Sequence, residues 1–166
     1  MYSTASSLIN RFDATEVAQF ATPKRYPVVD ALLLELTAES GDRSAYAAED
    51  IEAADAALVN INQALETASQ TIDSYLGKRH TLPLSASQIS SSPLPGYCED
   101  IARYLLNDDQ ELEKVTKRHD RALRWLRDLA DGKASLGGGE PSTSQGGAAV
   151  VTGPGRRFKR GGGRVF

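Results

Sequence analysis

Little in this chain of 166 residues carries reactive chemistry. There is one cysteine, Cys98, so no intrachain disulfide framework exists and a reducing compartment fits. The only histidines, His80 and His119, have no Cys or His partner at metal-ligand spacing, and we read them as surface or cap residues. Glu99 and Asp100 follow Cys98 directly and would raise a thiol pKa, which argues against a nucleophile. Gly137-Gly-Gly139 and Gly161-Gly-Gly163 lack both the strand-turn-helix setting and the Lys-Ser/Thr ending of a phosphate loop, so they read as spacers. No long hydrophobic run is present. The longest patch, Ala31-Leu-Leu-Leu34, falls far short of the roughly 20 residues a bilayer span needs, and no apolar run of the signal-peptide kind opens the chain. We therefore expect no catalytic residues, no metal, no cofactor and no membrane contact. Aromatics make up only 7% of the residues, and Ala and Leu dominate the periodic segments, which favours closely packed helices over a β-sandwich.

What is present is helical periodicity. Ala54, Leu58, Ile61, Leu65, Ala68, Ile72 and Leu76 alternate in steps of three and four, the spacing of a long helix with one buried stripe. Asp55, Gln63, Glu66, Gln70 and Asp73 lie on the opposite face. This helix starts near Ala48 to Asp50 and stops at Gly77, which we expect in the left-handed conformation. Lys78 and Arg79 follow, where the helix dipole favours cations. Leu82 precedes Pro83 and must be extended, so Leu82-Pro83-Leu84 reads as an apolar strap laid back across a helix. Asp73 reads as solvated or paired with Lys78 or Arg79. Tyr75, Tyr97 and Tyr104 read as half-buried core.

Shorter helices surround this spine. Ser and Thr caps precede Leu8, Ile9 and Phe12. Asp13-Ala-Thr15 caps a second helix, with Glu16 in its first turn and Val17 and Phe20 inward, that Pro23 ends. Pro27 opens a third through Leu36. Ser85 to Pro95 has loop composition. A helix spans about Gly96 to Asn107. Asp108 or Asp109 caps a last one, with Leu112, Val115, Ala122, Leu126 and Leu129 on its apolar side, and Asp131-Gly132 ends it. The expected fold is all-α: a small helical bundle on one long central helix over residues 1–136, followed by a Gly/Pro/Ser-rich basic arm, 137–166. Such an arm buries too little apolar surface to offset its ordering entropy.

Charge is unevenly divided. The net charge is −3, yet residues 1–131 hold 13 Lys and Arg against 21 Asp and Glu. In the remaining residues Lys133, Arg156, Arg157, Lys159, Arg160 and Arg164 face Glu140 alone. Within the acidic body, Lys117, Arg118, Arg121, Arg124 and Arg127 make one side of the last helix basic. That side either binds nucleic-acid phosphates or pairs with acidic protein; pairing is favoured, because the acidic body repels DNA.

Three stretches resemble a known family. Ile72-Asp73-Ser74-Tyr75-Leu76-Gly77-Lys78-Arg79-His80-Thr81-Leu82-Pro83-Leu84 is similar to the "I-D-x-Y-L-x-x-R-Y-x-L-P-L" signature of the Mu-like prophage head–tail connector proteins. Asp100-Ile-Ala-Arg-Tyr-Leu-Leu106 resembles that family's "D-I-A-R-Y-L-L". The run from Arg118 through Trp125 to Gly137 resembles its "R-Y-x-x-A-x-x-W-L-x-x-I-x-x-G-K-x-x-L-G" segment, and Tyr2, Leu8, Arg11, Phe12 and Glu16-Val17 fit its opening.

The resemblance implies a non-enzymatic adaptor of the tailed-phage neck, assembled in the host cytoplasm. Twelve copies would ring the channel under the portal and extend it to the stopper, and DNA would pass through without specific recognition. Residues 140–166, with Arg156, Arg157, Phe158, Lys159, Arg160, Arg164, Val165 and Phe166 as anchors, would dock the portal. Lys117, Arg118, Arg121, Arg124, Arg127, Asp73 and Glu66 are the candidate subunit contacts. Leu65, Ile72, Tyr75, Leu76, Gly77, Arg79, Leu82, Pro83, Leu84 and Trp125 are the candidate fold-organising residues. The alternative is a DNA-binding helical module that uses the basic last helix and tail.

Overall fold

The computed structural model describes residues 1–107 and 112–136. The arm and its anchors lie outside the described residues, as do Asp108 and Asp109. Seven helices and no strand are found among the described residues: α1 (Ala5–Phe12), α2 (Ala14–Ala21), α3 (Ala31–Ala38), α4 (Ala48–Leu76), α5 (Ala86–Ser90), α6 (Leu94–Leu106) and α7 (Glu113–Ala130).

Helix α4 is the spine. Of its expected stripe, Ala54, Ile61, Leu65, Ala68, Ile72 and Leu76 are buried, and Leu58 packs partly buried against them. Ala53, Ala57 and Ala64 widen the stripe, because five other helices close on α4 and small side chains let their backbones approach. The first half of α4 takes α2 and the segment that follows α3: Asn60 Nδ2 donates to Ala21 O at 2.8 Å, and Arg43 pairs with Asp55. An α6–α7 hairpin covers the second half. Cys98 on α6 sits against Leu65 and Ser69, and Trp125 on α7 meets Tyr97 on α6 with ring centroids 5.0 Å apart.

The ends of the helices correct several expectations. Gly77 has φ −57, an ordinary right-handed value, and the chain leaves α4 by a turn in which the N–H groups of Arg79 and His80 both donate to Leu76 O. The left-handed glycine is Gly132, φ 75, just past α7, as the Asp131-Gly132 stop predicts. Arg79 does not crown α4. Its guanidinium lies against Gly132, so closely that a Cβ there would stand 2.0 Å from Nη1. Helix α3 starts at Ala31 rather than Pro27, because the Asp30 carboxylate accepts from Leu32 N and Leu33 N. The stretch read as loop holds α5, closed by a Ser85–Gln88 capping box. Helix α6 starts at Leu94, two residues before the expected Gly96, with Pro95 tolerated in its opening turn. At the start of α7 the cap position belongs to Leu112, which makes no side-chain cap bond. The strap keeps its apolar contacts, with Leu84 buried and Leu82 half-buried, but it is not extended: the chain bends at Leu82 and Pro83, which are joined by a cis peptide, and Pro83 is exposed.

Candidate functional site

Two charged constellations stand out, one buried and one exposed. The buried one joins α1 to α6. Ser3, Ser7 and Arg11 recur every four residues, so they share one side of the N-terminal segment. Ser3 and Ser7 hydroxyls donate to Glu99 Oε1 at 2.6 and 2.7 Å. Arg11 Nη1 donates to Glu99 Oε2 at 2.8 Å and to Gly96 O at 2.7 Å, while its Nη2 reaches Asp100 Oδ1 at 3.3 Å. Glu99 is 3% exposed and Asp100 2%. Arg118 reaches Asp100 from α7 at 3.9 Å. One turn on, Arg103 grips Glu16 of α2, its Nε donating at 2.7 Å. The guanidinium carbons of Arg11, Arg103 and Arg118 surround the Phe12 ring at 5.1, 4.5 and 5.7 Å, a cation–π cluster.

Burial dominates the titration of this region. It pushes the Asp100 carboxyl above its usual range, although Arg11, Arg118 and Arg121 pull the other way. It also pushes the Cys98 thiol up, the Ser69 hydrogen bond notwithstanding. The sequence argument for an inert cysteine holds in direction. Its main cause is desolvation, and the Glu99 charge is a lesser one.

The exposed constellation is the outer side of α7. Lys117, Arg118, Arg121, Arg124 and Arg127 are all exposed, as expected. Arg118 nevertheless turns inward to Asp100 and Phe12, so the free row is Lys114, Lys117, Arg121 and Arg124, spaced i, i+3, i+7, i+10. Lys117 pairs only with Glu113, both well solvated. Arg121 and Arg124 form no ion pair among the described residues.

Of the other candidates, Glu66 is exposed on α4, bonded only to Gln70 at 3.5 Å. Asp73 is half-buried and is not paired with Lys78 or Arg79. It accepts a short hydrogen bond from the Tyr2 hydroxyl, which burial and this carboxylate together keep protonated far up the pH scale. Asp73 is thus a fastener for the N-terminus. It lines a cavity of about 390 Å³ with Met1, Tyr2, Leu82, Pro83, Leu84 and Ile89. Tyr75 and Tyr97 are half-buried, whereas Tyr104 is 39% exposed and stacks on His119 at 3.9 Å. Among the described residues no group of three or more His, Cys, Asp or Glu side chains could hold a metal ion, and no helix is long and apolar enough to cross a membrane.

The sequence reading missed the clamp. Glu99 entered it only as a neighbour of Cys98, and Asp100 as that and as the start of the stretch that resembles the family. The signal was available in the four-residue recurrence of Ser3, Ser7 and Arg11, a polar stripe on a helix whose other side is apolar.

The sequence model of the family described as "Bacteriophage Mu, Gp36" matches residues 2–152. The chain is 40% identical over 77 residues, 46% of its length, to "Mu-like prophage FluMu protein gp36" of Haemophilus influenzae, covering 52% of that protein. It is 39% identical over 75 residues, 45% of its length, to "Gene product J" of Escherichia phage Mu, covering 51% of it. The chain thus spans about half the length of these curated relatives. With most of its length matched, from the clamp through α7, the chain belongs to the bacteriophage Mu Gp36 family.

Proposed function

We propose that this protein is a structural component of a tailed-phage virion: a head–tail connector whose copies ring the DNA channel beneath the portal and lead it to the stopper. The observation that carries this reading is membership of a Mu family across residues 2–152. The side chains support it. Much of the motif chemistry goes into holding the fold: Asp100 and Arg103 tie α6 to α1 and α2, and Arg79 braces the end of α7. A rigid helical ring element needs such fastening and no reaction centre. The body's excess of carboxylates suits a channel along which DNA slides. In this reading the portal-docking arm, with Phe158 and Phe166 among its cations, leaves from buried Leu136 and orders on the portal, trading entropy for contact area. Assembly takes place in the host cytoplasm, and the finished site is the neck of the virion.

The test is a pull-down on the portal ring of the same phage, using the full chain and a version stopped after Gly139. Binding by the full chain alone supports both connector and arm. Equal binding by both moves the contact to the helical body, and binding by neither removes the reading. A second reading, DNA binding by the basic row of α7 and the tail, draws on the exposure of Arg121 and Arg124. It predicts gel retardation that falls steeply with salt, as phosphate contacts release counterions.

A further inference from the structure

We propose that the free basic row of α7 docks on the α3–α4 corner of a second copy of this chain, in a head-to-tail contact. The inference rests on the connector reading only for closure into a ring; the two surfaces come from charge and exposure.

The α3–α4 corner is acidic and lacks compensating ion pairs among the described residues. Leu32, Glu35 and Glu39 follow one another on the outer side of α3 at spacings of three and four. Glu35 lies in the last turn and Glu39 is the C-cap, where the helix dipole disfavours carboxylates, and the last turn carries no basic residue. Nearby Arg43 is already held by Asp55. Glu49 and Asp50 add exposed charge across the α3–α4 turn. None of Glu35, Glu39, Glu49 and Asp50 forms an ion pair among the described residues.

Helix α7 carries the opposite imbalance. Lys114 and Lys117 stand near its N-terminal end, where the dipole disfavours cations, and Arg121 and Arg124 continue the row. Glu35 and Glu39 on one surface and Lys114 on the other thus stand where their own helix end resists their charge, while Glu49 and Asp50, favoured in the first turn of α4, add to the acidic surface. Apolar exposure follows the same two places. Leu32, 56% exposed, lies one turn before Glu35 beside the acidic corner. Leu105 and Leu112, 38% and 39% exposed, border the start of α7. A charged row beside an apolar spot on each surface is what a specific contact requires. The two surfaces are different patches of one molecule, because α2 and α3 pack on the first half of α4 and the α6–α7 hairpin on the second. The contact is thus heterologous, the type that closes rings.

Charge reversal tests it on the full chain. One double variant is Arg121→Glu with Arg124→Glu. The other is Glu35→Lys with Glu39→Lys, which the α3 dipole favours, so folding is retained; circular dichroism checks both. Sedimentation at low salt is expected to show concentration-dependent association of the unaltered chain that high salt weakens. Each double variant alone should associate about tenfold more weakly or worse, and an equimolar mixture should recover it, since every contact is then complementary again. Association of either variant like the unaltered chain overturns the proposal, as does an unaltered chain that stays monomeric at low salt. Loss of DNA retardation in the arginine variant with self-association intact also overturns it and assigns the row to nucleic acid. In each of these cases the portal pull-down judges the connector reading separately.

Discussion

The clamp between α1 and α6 and the outer row of α7 are built from the same chemistry, arginines and carboxylates on helices, and differ in water. In the clamp, Glu99 and Asp100 are sealed from solvent and nearly every polar atom has a partner. In the row, Arg121 and Arg124 meet solvent and pair with nothing among the described residues. An arginine held by a buried carboxylate fixes the fold, since removing either partner strands the other. A solvated arginine contributes little to stability and is free for another molecule.

The largest expected effect breaks the clamp. Glu99→Ala removes the acceptor of Ser3, Ser7 and Arg11 together, and urea denaturation should show a loss of about 3 kcal/mol. A loss below about 0.5 kcal/mol would make the clamp as dispensable as the row and erase the contrast.

Arg79 is the intermediate case, exposed yet laid on Gly132. Gly132→Ala both strains a φ of 75 and displaces that guanidinium, and should cost about 1–2 kcal/mol. Gly77→Ala, at φ −57, meets Asp73 O at 3.3 Å and Leu82 Cδ1 at 4.0 Å and should cost less in the same thermal melts. The reverse order would return the left-handed role to Gly77.

A smaller effect comes from Asp100. Its carboxyl is raised in the folded chain, so the folded state takes up a proton before the unfolded state does. Ionised Asp100 therefore works against folding above that raised pKa, and its penalty fades as pH falls toward the ordinary Asp value of 3.8. Asp100→Asn lacks this term. The stability difference between the unaltered chain and the variant should shift toward the unaltered chain as pH falls through that window. A pH-independent difference in denaturant midpoints would show that the arginines fully offset burial at Asp100, and a shift in the opposite sense that they outweigh it.

The smallest effect belongs to the row. Arg121→Ala and Arg124→Ala should each change stability by no more than about 0.5 kcal/mol. A larger loss in thermal melts would mean that the row serves the fold after all.

The spine was legible in the sequence because one periodic stripe, Ala54 to Leu76, obeys one rule: bury the apolar side. The basic side of α7 was legible for the same reason in reverse. Helix ends were harder, because several residues compete to stop a helix. Gly77 looked like the left-handed stop, but two N–H groups closing on Leu76 O suffice there. Asp30 outcompeted Pro27 at the start of α3, since a carboxylate satisfies two open N–H groups and a proline satisfies none. The stripe of Ser3, Ser7 and Arg11 could be seen, but its bonds to Glu99 and the Tyr2–Asp73 bond were illegible for a different reason. They join residues far apart in the chain, and no local pattern states which distant carboxylate a serine or tyrosine will meet.

That distance has a consequence for the order of events during synthesis. Ser3 and Glu99 are 96 positions apart, and Arg11 and Glu99 are 88 apart. At ribosomal speeds of 5–20 residues per second, the first helix made waits roughly 5–20 s for its anchor to be synthesised. An eight-residue helix is marginal alone in water. The N-terminal segment is therefore the first to emerge and among the last to settle, and a nascent chain halted before Glu99 should leave it open to protease.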